Sequence, residues 1–288
     1  MKSWVALAAL ALVMTGGAAG QDGVPRFSSA VQLVEVYATV TDQSGPVVGL
    51  KRDDFEVFED GRRHEIDAFA AGEFPLTLAL GVDRSFSMAG EPLRLAKRAS
   101  RSFLSALGPQ DRSMVVAIGN AADVIAPLST DRAAQLQAIE ALDAWSTTAL
   151  YDAVIASLNR LEAESGRQAL VVFSDGIDRY SRATTSDVVD RARRSHALIY
   201  PVVLGRVRPP VTTELAVVSG GRSFQLKDAR ELEATLQTIA RELRYQYLLG
   251  YAPADSSPGL REWRSIRVRL KVPRPGVQIR ARDGYLTE

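Results

Sequence analysis

The sequence predicts an α/β protein: a doubly wound, mostly parallel sheet with helices on both faces, plus a small β domain built from the amino- and carboxyl-terminal flanks. Three observations carry that expectation. From Pro75 to about Arg244, short apolar runs alternate with amphipathic segments, the pattern of parallel strands covered on both faces. On either side, residues 30–69 and the tail from Tyr245 change to β-branched and alternating runs separated by turn signals. Each flank is only about 40 residues long and the chain has no cysteine, so neither could bury a core alone. Chain ends of a domain often lie close together, and pooling both flanks into one sandwich, with the α/β unit inserted, resolves the shortage.

The first twenty residues have a different character. Lys2 gives a positive start, Trp4 to Met14 is an apolar run too short to span a bilayer, and TGGAAG supplies small residues before Gln21. This predicts a secretory signal peptide over 1–20, cut after Ala19 or Gly20, with no transmembrane segment once it is removed. The expected division is then a β segment at 21–73, the α/β unit at 74–244 and a second β segment at 245–288, packing with the first.

Composition excludes several classes. Without Lys2, 34 basic residues balance 34 acidic ones, so no bulk field attracts nucleic acid or an anionic membrane. The absence of cysteine removes disulfides, zinc–thiolate sites and thiol nucleophiles. The two histidines, His64 and His196, cannot make a multi-histidine metal centre, and both are expected in structural roles. Oligomeric state is not legible.

Taken in order, Val31–Thr41 reads as a strand, and FEVFEDGRRHEI (Phe55–Ile66) as a hairpin turning at Asp60-Gly61. Strands are then predicted at Leu76–Val82, Ser113–Gly119, Asp123–Leu128, Ala169–Ser174 and Leu198–Leu204, with a weaker one at Arg222–Gln225. Helices are predicted near Pro92–Leu107, Asp131–Leu142, Ala149–Glu164, Ser186–Ser195, Thr212–Val218 and Ala229–Arg244. In the first, Leu93, Ala96, Ala99, Phe103 and Leu107 share one stripe; Asp131 and Asp228 are candidate amino-terminal caps. In the tail, Tyr245–Tyr251, Trp263–Val272 and Gln278–Arg282 alternate as strands around a polar loop at 253–259.

The stretch that carries chemistry is LTLALGVDRSFSM, Leu76 to Met88. An apolar strand ends in Asp83, Ser85 and Ser87, one carboxylate and two hydroxyls on alternate positions. In an open parallel sheet, ligands bind at the carboxyl ends of strands. Ala169–Phe173 ends likewise in Ser174-Asp175-Gly176, and Trp145-Ser146-Thr147-Thr148 precedes a helix. Three loops can converge with two carboxylates and three hydroxyls. Such hard, all-oxygen donors favour Mg²⁺ or Mn²⁺ over zinc or copper, with Ca²⁺ an open alternative.

The segments Asp-Arg-Ser-Phe-Ser-Met, Thr-Ala-Leu-Tyr-Asp and Phe-Ser-Asp-Gly-Ile-Asp, in that order, resemble the metal-ion-dependent adhesion site of the von Willebrand factor type A domain over about residues 74–244. The flanks, DFEVFEDGRRHEIDAF before and YLLGYAP with RDGYL after, resemble bacterial secreted proteins related to that family. The resemblance implies a Rossmann-like fold and a metal set of Asp83, Ser85, Ser87, Thr148 and Asp175, with the hydroxyls on the ion and the aspartates acting directly or through water. Thr147 competes with Thr148 on sequence alone. Asp152, Gly176 and Asp178 are expected behind the ligands, orienting loops. Arg84 is expected to steer an acidic partner or to compete with the metal; its sequence does not decide which.

The implied function is an exported, non-catalytic module that binds a partner protein by an Asp or Glu completing the shell of a Mg²⁺ ion. Two alternatives stand in other classes: a structural envelope protein whose metal only stabilises loops, and a metal-dependent hydrolase. An enzyme would want a general base near the metal. The sequence offers no histidine near these loops, no Gly-x-Ser-x-Gly elbow and no phosphate-binding loop, so the protein is expected not to be an enzyme.

Overall fold

Hydrophobic alternation of two periods builds two modules from three stretches of chain. The computed structural model describes residues 33–253 and 261–287. The expected signal peptide and most of the polar loop at 253–259 lie outside the described residues.

The chain enters through β1 (Val34–Asp42), β2 (Gly45–Pro46), β3 (Phe55–Glu59), β4 (Arg62–His64) and β5 (Ala68–Gly72). Asp60 and Gly61, at φ 48° and 79°, make the tight turn between β3 and β4, as their order in the sequence predicts. The α/β unit follows as β6 (Leu76–Asp83), α1 (Glu91–Ser105), β7 (Arg112–Ile118), β8 (Ala122–Ser129), α2 (Arg132–Glu140), α3 (Leu150–Glu162), β9 (Arg167–Ser174), α4 (Thr185–Arg193), β10 (Leu198–Leu204), α5 (Pro210–Ser219), β11 (Phe224–Leu226) and α6 (Leu232–Arg244). The tail adds β12 (Gln246–Tyr251), β13 (Trp263–Leu270), β14 (Gln278–Arg280) and β15 (Gly284–Leu286).

The central sheet has the order β11-β10-β9-β6-β7-β8, parallel except for β8, which runs antiparallel along one edge. Burial explains the strand composition: every residue of β6 and of β9 is buried, because helices cover both faces. Leu76, Leu78, Leu80 and Val82 pack on one face with Phe103 of α1, Ile139 of α2 and Leu236 and Ile239 of α6. Ala79 points to the other, among Leu158 of α3, Val188 of α4 and Leu215 of α5. From β6 the chain winds outward to β7 and β8, then returns to β9 and winds the other way. The order therefore reverses between β6 and β9, the topological switch at which ligand sites form.

The flanks share strands. β1 pairs antiparallel with β12 and with β14, β12 pairs with β5, and β13 pairs with β3 and β15. Their common core includes Val36, Val40, Phe55, Val57, Tyr247, Leu249, Tyr251 and Ile266. Glu59 is buried there and accepts from Arg264 at 2.7 Å, Tyr251 at 2.7 Å and Tyr285 at 2.8 Å, so three tail strands converge on one amino-terminal carboxylate. β12 is buried at every residue rather than alternately, since Tyr247, Leu249 and Tyr251 face the flank core while Gln246, on its other face, meets Arg167 of β9. β15, absent from the sequence expectation, pairs with β13 through only three residues, too short a run to show periodicity.

Arg167, at the start of β9, joins the two modules. Its buried guanidinium donates to the carbonyls of Phe74, where the chain enters the α/β unit, and Leu243, where it leaves, and to Gln246 Oε1 at 3.2 Å. Burial lowers its pKa to about 10. Glu242 of α6, also buried, receives Arg222 at 2.9 Å and Arg280 of β14 at 2.5 Å.

Ending the chain after Arg244 removes β12, the shared partner of β1 and β5. Limited proteolysis followed by mass spectrometry is expected to find residues 33–73 cleaved rapidly in that truncation and protected in the full chain. A protease-resistant first segment in the truncated protein would show that the flanks fold independently.

Candidate metal centre

Asp83 closes β6 and is completely buried. Its register neighbour on β9 is Ser174, one step beyond the Val82–Phe173 pair. The Ser174 hydroxyl donates to Asp83 Oδ2 at 2.5 Å, and the Ser85 amide donates to Oδ1 at 2.8 Å. A carboxylate here has lost its hydration and faces no Arg or Lys in an ion pair. Burial raises its pKa; the hydrogen bonds from Ser174 and Ser85 oppose that rise, and the nearby Asp175 charge adds to it.

The two serines of the first loop point together. Ser85 Oγ and Ser87 Oγ stand 3.0 Å apart, Ser85 buried and Ser87 exposed, with the 3₁₀ turn Phe86–Met88 carrying the second around to the first. Two oxygens bound at right angles to an ion about 2.05 Å away lie about 2.9 Å apart. The hydroxyl pair therefore fits adjacent corners of an octahedral shell.

Backbone hydrogen bonds draw the second and third loops onto the first. Ser146 carbonyl accepts from Phe86 at 3.1 Å, and Arg84 carbonyl accepts from Trp145 at 2.8 Å. Ser146 adopts φ +86°, a left-handed conformation costly for a side-chain-bearing residue, and its hydroxyl accepts from the Asn120 amide at 3.1 Å. Thr148 is buried and Thr147 half-buried; the Thr148 carbonyl accepts from Arg179 and Tyr180 of the third loop, each at 3.0 Å. Asp175 accepts from the Ile177 amide at 2.9 Å, turning the third loop at the end of β9.

The residues expected behind the ligands hold the loops. Asp178 accepts from the amides of Leu150 at 2.7 Å and Tyr151 at 3.3 Å, at the amino terminus of α3, where a carboxylate is favoured. Asp152 accepts from the amides of Arg182 at 2.9 Å and Ala183 at 3.0 Å. Gly176 has φ +79°, and a Cβ there would come within 2.8 Å of Val203 Cγ1. Among the described residues no three His, Cys, Asp or Glu side chains form a metal-binding group. The candidate donors are instead rich in hydroxyls, with Asp175 close enough for its charge to act on Asp83.

A family model for the von Willebrand factor type A domain matches residues 78–177, from β6 to the loop after β9. Over those residues the chain is similar to the von Willebrand factor type A domain. Solved structures agree in fold. A von Willebrand factor type A protein from Catenulispora acidiphila aligns over 88% of this chain and 73% of its own at 15% identity, with a TM-score of 0.55. Proximal thread matrix protein 1 from the mussel byssus, in a form with a zinc-occupied adhesion-site motif, aligns over 66% of this chain and 50% of its own at 15% identity and TM-score 0.54. The corresponding domain of the pilus tip protein Mfa5 from Porphyromonas gingivalis aligns over 59% of this chain and 95% of its own at 11% identity and TM-score 0.50. No curated protein matches the chain.

Two contributors to the type A domain's edge were not singled out by sequence. Ser174 holds Asp83, and its only sequence signal is its place at a strand end beside Asp175. Trp145 receives the Arg84 guanidinium over its ring, 4.9 Å from the centroid, which supplies Arg84 with a role that its sequence context left open. His64 bonds Ala252 carbonyl at 3.0 Å and His196 meets Arg282 at 2.8 Å, neither of them on the metal-centre loops.

Ser174→Ala leaves Asp83 Oδ2 buried with one donor fewer. Urea denaturation is expected to show a loss of about 1–3 kcal/mol, the cost of an unsatisfied buried acceptor. An unchanged midpoint would mean that Oδ2 takes its hydrogen bond elsewhere.

Proposed function

We propose that this protein is an exported, non-catalytic binding module in which Asp83, Ser85, Ser87, Thr148 and Asp175 hold a Mg²⁺ ion that receives an Asp or Glu of a partner protein. Mn²⁺ and Ca²⁺ are the alternative ions. The observation that carries this reading is the pair of serine hydroxyls converging 3.0 Å apart beside the buried Asp83, which has no Arg or Lys ion pair among the described residues, at the switch of the sheet. When bound, the ion supplies a Lewis-acid position open to a carboxylate from outside. The chain's part is to present hydroxyls where a second or third carboxylate would neutralise the charge, and to keep the loops in place through Asp152 and Asp178.

Several features favour binding over the other classes. Loops already bridged through Ser146, Arg84 and Thr148 leave a cation little to rigidify, which weighs against a purely loop-stabilising metal. Both histidines are occupied away from the metal-centre loops, which weighs against a hydrolase needing a nearby base. The pilus tip and byssal proteins of like fold support a place outside the cytoplasm, and no helix of the described residues is long and apolar enough to cross a membrane.

Isothermal calorimetry tests the site. Asp83→Ala is expected to weaken Mg²⁺ binding by about 100-fold or more while retaining the native circular dichroism spectrum. Undiminished affinity would refute the assignment. Thr148→Ala is expected to weaken binding more than Thr147→Ala, since Thr148 is the buried one beside the third loop; the reverse order would move the ligand by one position. Pull-down from envelope extract in Mg²⁺ against EDTA then tests partner capture, and a partner retained equally in EDTA would contradict metal-dependent binding.

A further inference from the structure

The edge around the metal centre is unusually apolar for a solvated surface. Of the ten exposed large hydrophobic side chains among the described residues, five stand on loops at the carboxyl ends of the central strands: Phe86, Trp145, Ile177, Tyr180 and Val207. Phe86 and Tyr180 are 69% and 62% exposed. Their loops are bonded to one another, Phe86 to Ser146 and Tyr180 to Thr148, so these side chains border one site rather than scattering over the domain. Arg84, stacked on Trp145, holds that ring in one orientation and lowers the entropy lost when it is covered. Clustered exposed aromatic surface around a polar centre marks an interaction site.

The charge beside this rim is divided, with arginines on the β9 and β10 side and acids on the β7 and β8 side. Arg179, Arg182 and Arg206 lie on the loops that follow β9 and β10, all exposed, and none makes an ion pair among the described residues. The loop after β10 reaches the third metal-centre loop through Pro209, which borders Gly176. On the β9 side Asp152 and Asp178 are engaged by amides and Asp187 by Thr184 in the cap of α4, whereas Asp123 at the start of β8 and Asp143 on the Trp145 loop stand exposed toward the β7 side. Three exposed guanidinium groups thus stand on one side of a centre proposed to receive a carboxylate.

We infer that the partner element is an acidic linear segment in which the metal-seeking Asp or Glu is adjacent to an aromatic or large aliphatic residue and accompanied by at least one further acid. The apolar residue seats among Phe86, Trp145, Ile177 and Tyr180. The further acid faces the arginines after β9 and β10. Charge complementarity selects this occupant: a basic or purely apolar segment would leave the arginines opposed or desolvated without partners. The inference rests on the binding-module reading above and specifies its partner.

The test pans the full mature chain against a phage-displayed random dodecapeptide library, in Mg²⁺ and in EDTA. Mg²⁺-dependent clones are expected to carry an Asp or Glu next to Trp, Phe, Tyr, Leu or Ile, with a second acid. A synthetic peptide of the enriched sequence should bind the Trp145→Ser/Tyr180→Ser variant about tenfold or more weakly, and likewise the Arg182→Glu/Arg206→Glu variant. Both variants should keep Mg²⁺ affinity within about twofold by calorimetry, which separates loss of the rim from loss of the fold. Mg²⁺-dependent clones lacking an apolar neighbour or a second acid, undiminished binding by the variants, or no enrichment of acidic–apolar sequences would each overturn the inference. Clones that bind equally in EDTA would overturn the metal-dependent reading beneath it as well.

Discussion

A buried carboxylate that forms no ion pair with Arg or Lys among the described residues governs this molecule's functional edge. Asp83 has given up its water at the end of a strand flanked on both sides by parallel neighbours, and hydrogen bonds from Ser174 and from the amide and hydroxyl of Ser85 offset part of that loss. A buried charge held by hydrogen bonds alone, without an ionic partner, is costly for a fold to keep. It persists because the sheet reverses direction between β6 and β9, opening a crevice in which side chains of three loops meet without packing against a helix. The hydroxyls of Ser85 and Ser87, the strained Ser146 and the loop-holding Asp152 and Asp178 are all organised with respect to that one group.

The opposite end of the sheet explains how the site stays accessible. Arg167, Phe74 and Leu243 sit where the central strands begin, and there the guanidinium ties the entering and leaving chains to β9. Glu242 and Arg280 add a second tie between α6 and the tail. The flank strands consequently dock at the amino ends of the parallel strands and leave the carboxyl ends, with the metal-centre loops, uncovered. A β module attached this way extends the domain without competing for its binding edge.

Much of this was legible in the sequence because burial of both sheet faces writes itself as unbroken apolar runs. Leu76–Val82 and Leu198–Leu204 are such runs, and their ends coincide with the observed strands to within one residue. The first loop was legible for a chemical reason: a carboxylate and two hydroxyls on alternate residues at a strand end have no packing role. What remained hidden depended on contacts across the fold. Ser174 is an ordinary serine until the β6–β9 register sets it opposite Asp83. Arg84 acquires a partner only when Trp145, sixty residues on, folds over it. Arg167 looks like one basic residue among many, since its acceptors are carbonyls that sequence does not distinguish. β15 is too short to show any period.

The central claim is that an ion sits between the loop hydroxyls at the β6–β9 switch. Crystals grown with saturating Mn²⁺ and measured at the manganese absorption edge test it most directly, because anomalous scattering locates the metal without assumption. The account predicts a single strong peak within about 2.0–2.3 Å of both Ser85 Oγ and Ser87 Oγ, on the Thr148 side of the loop. A peak elsewhere on the chain, or none at saturation with the loops well ordered, would contradict it.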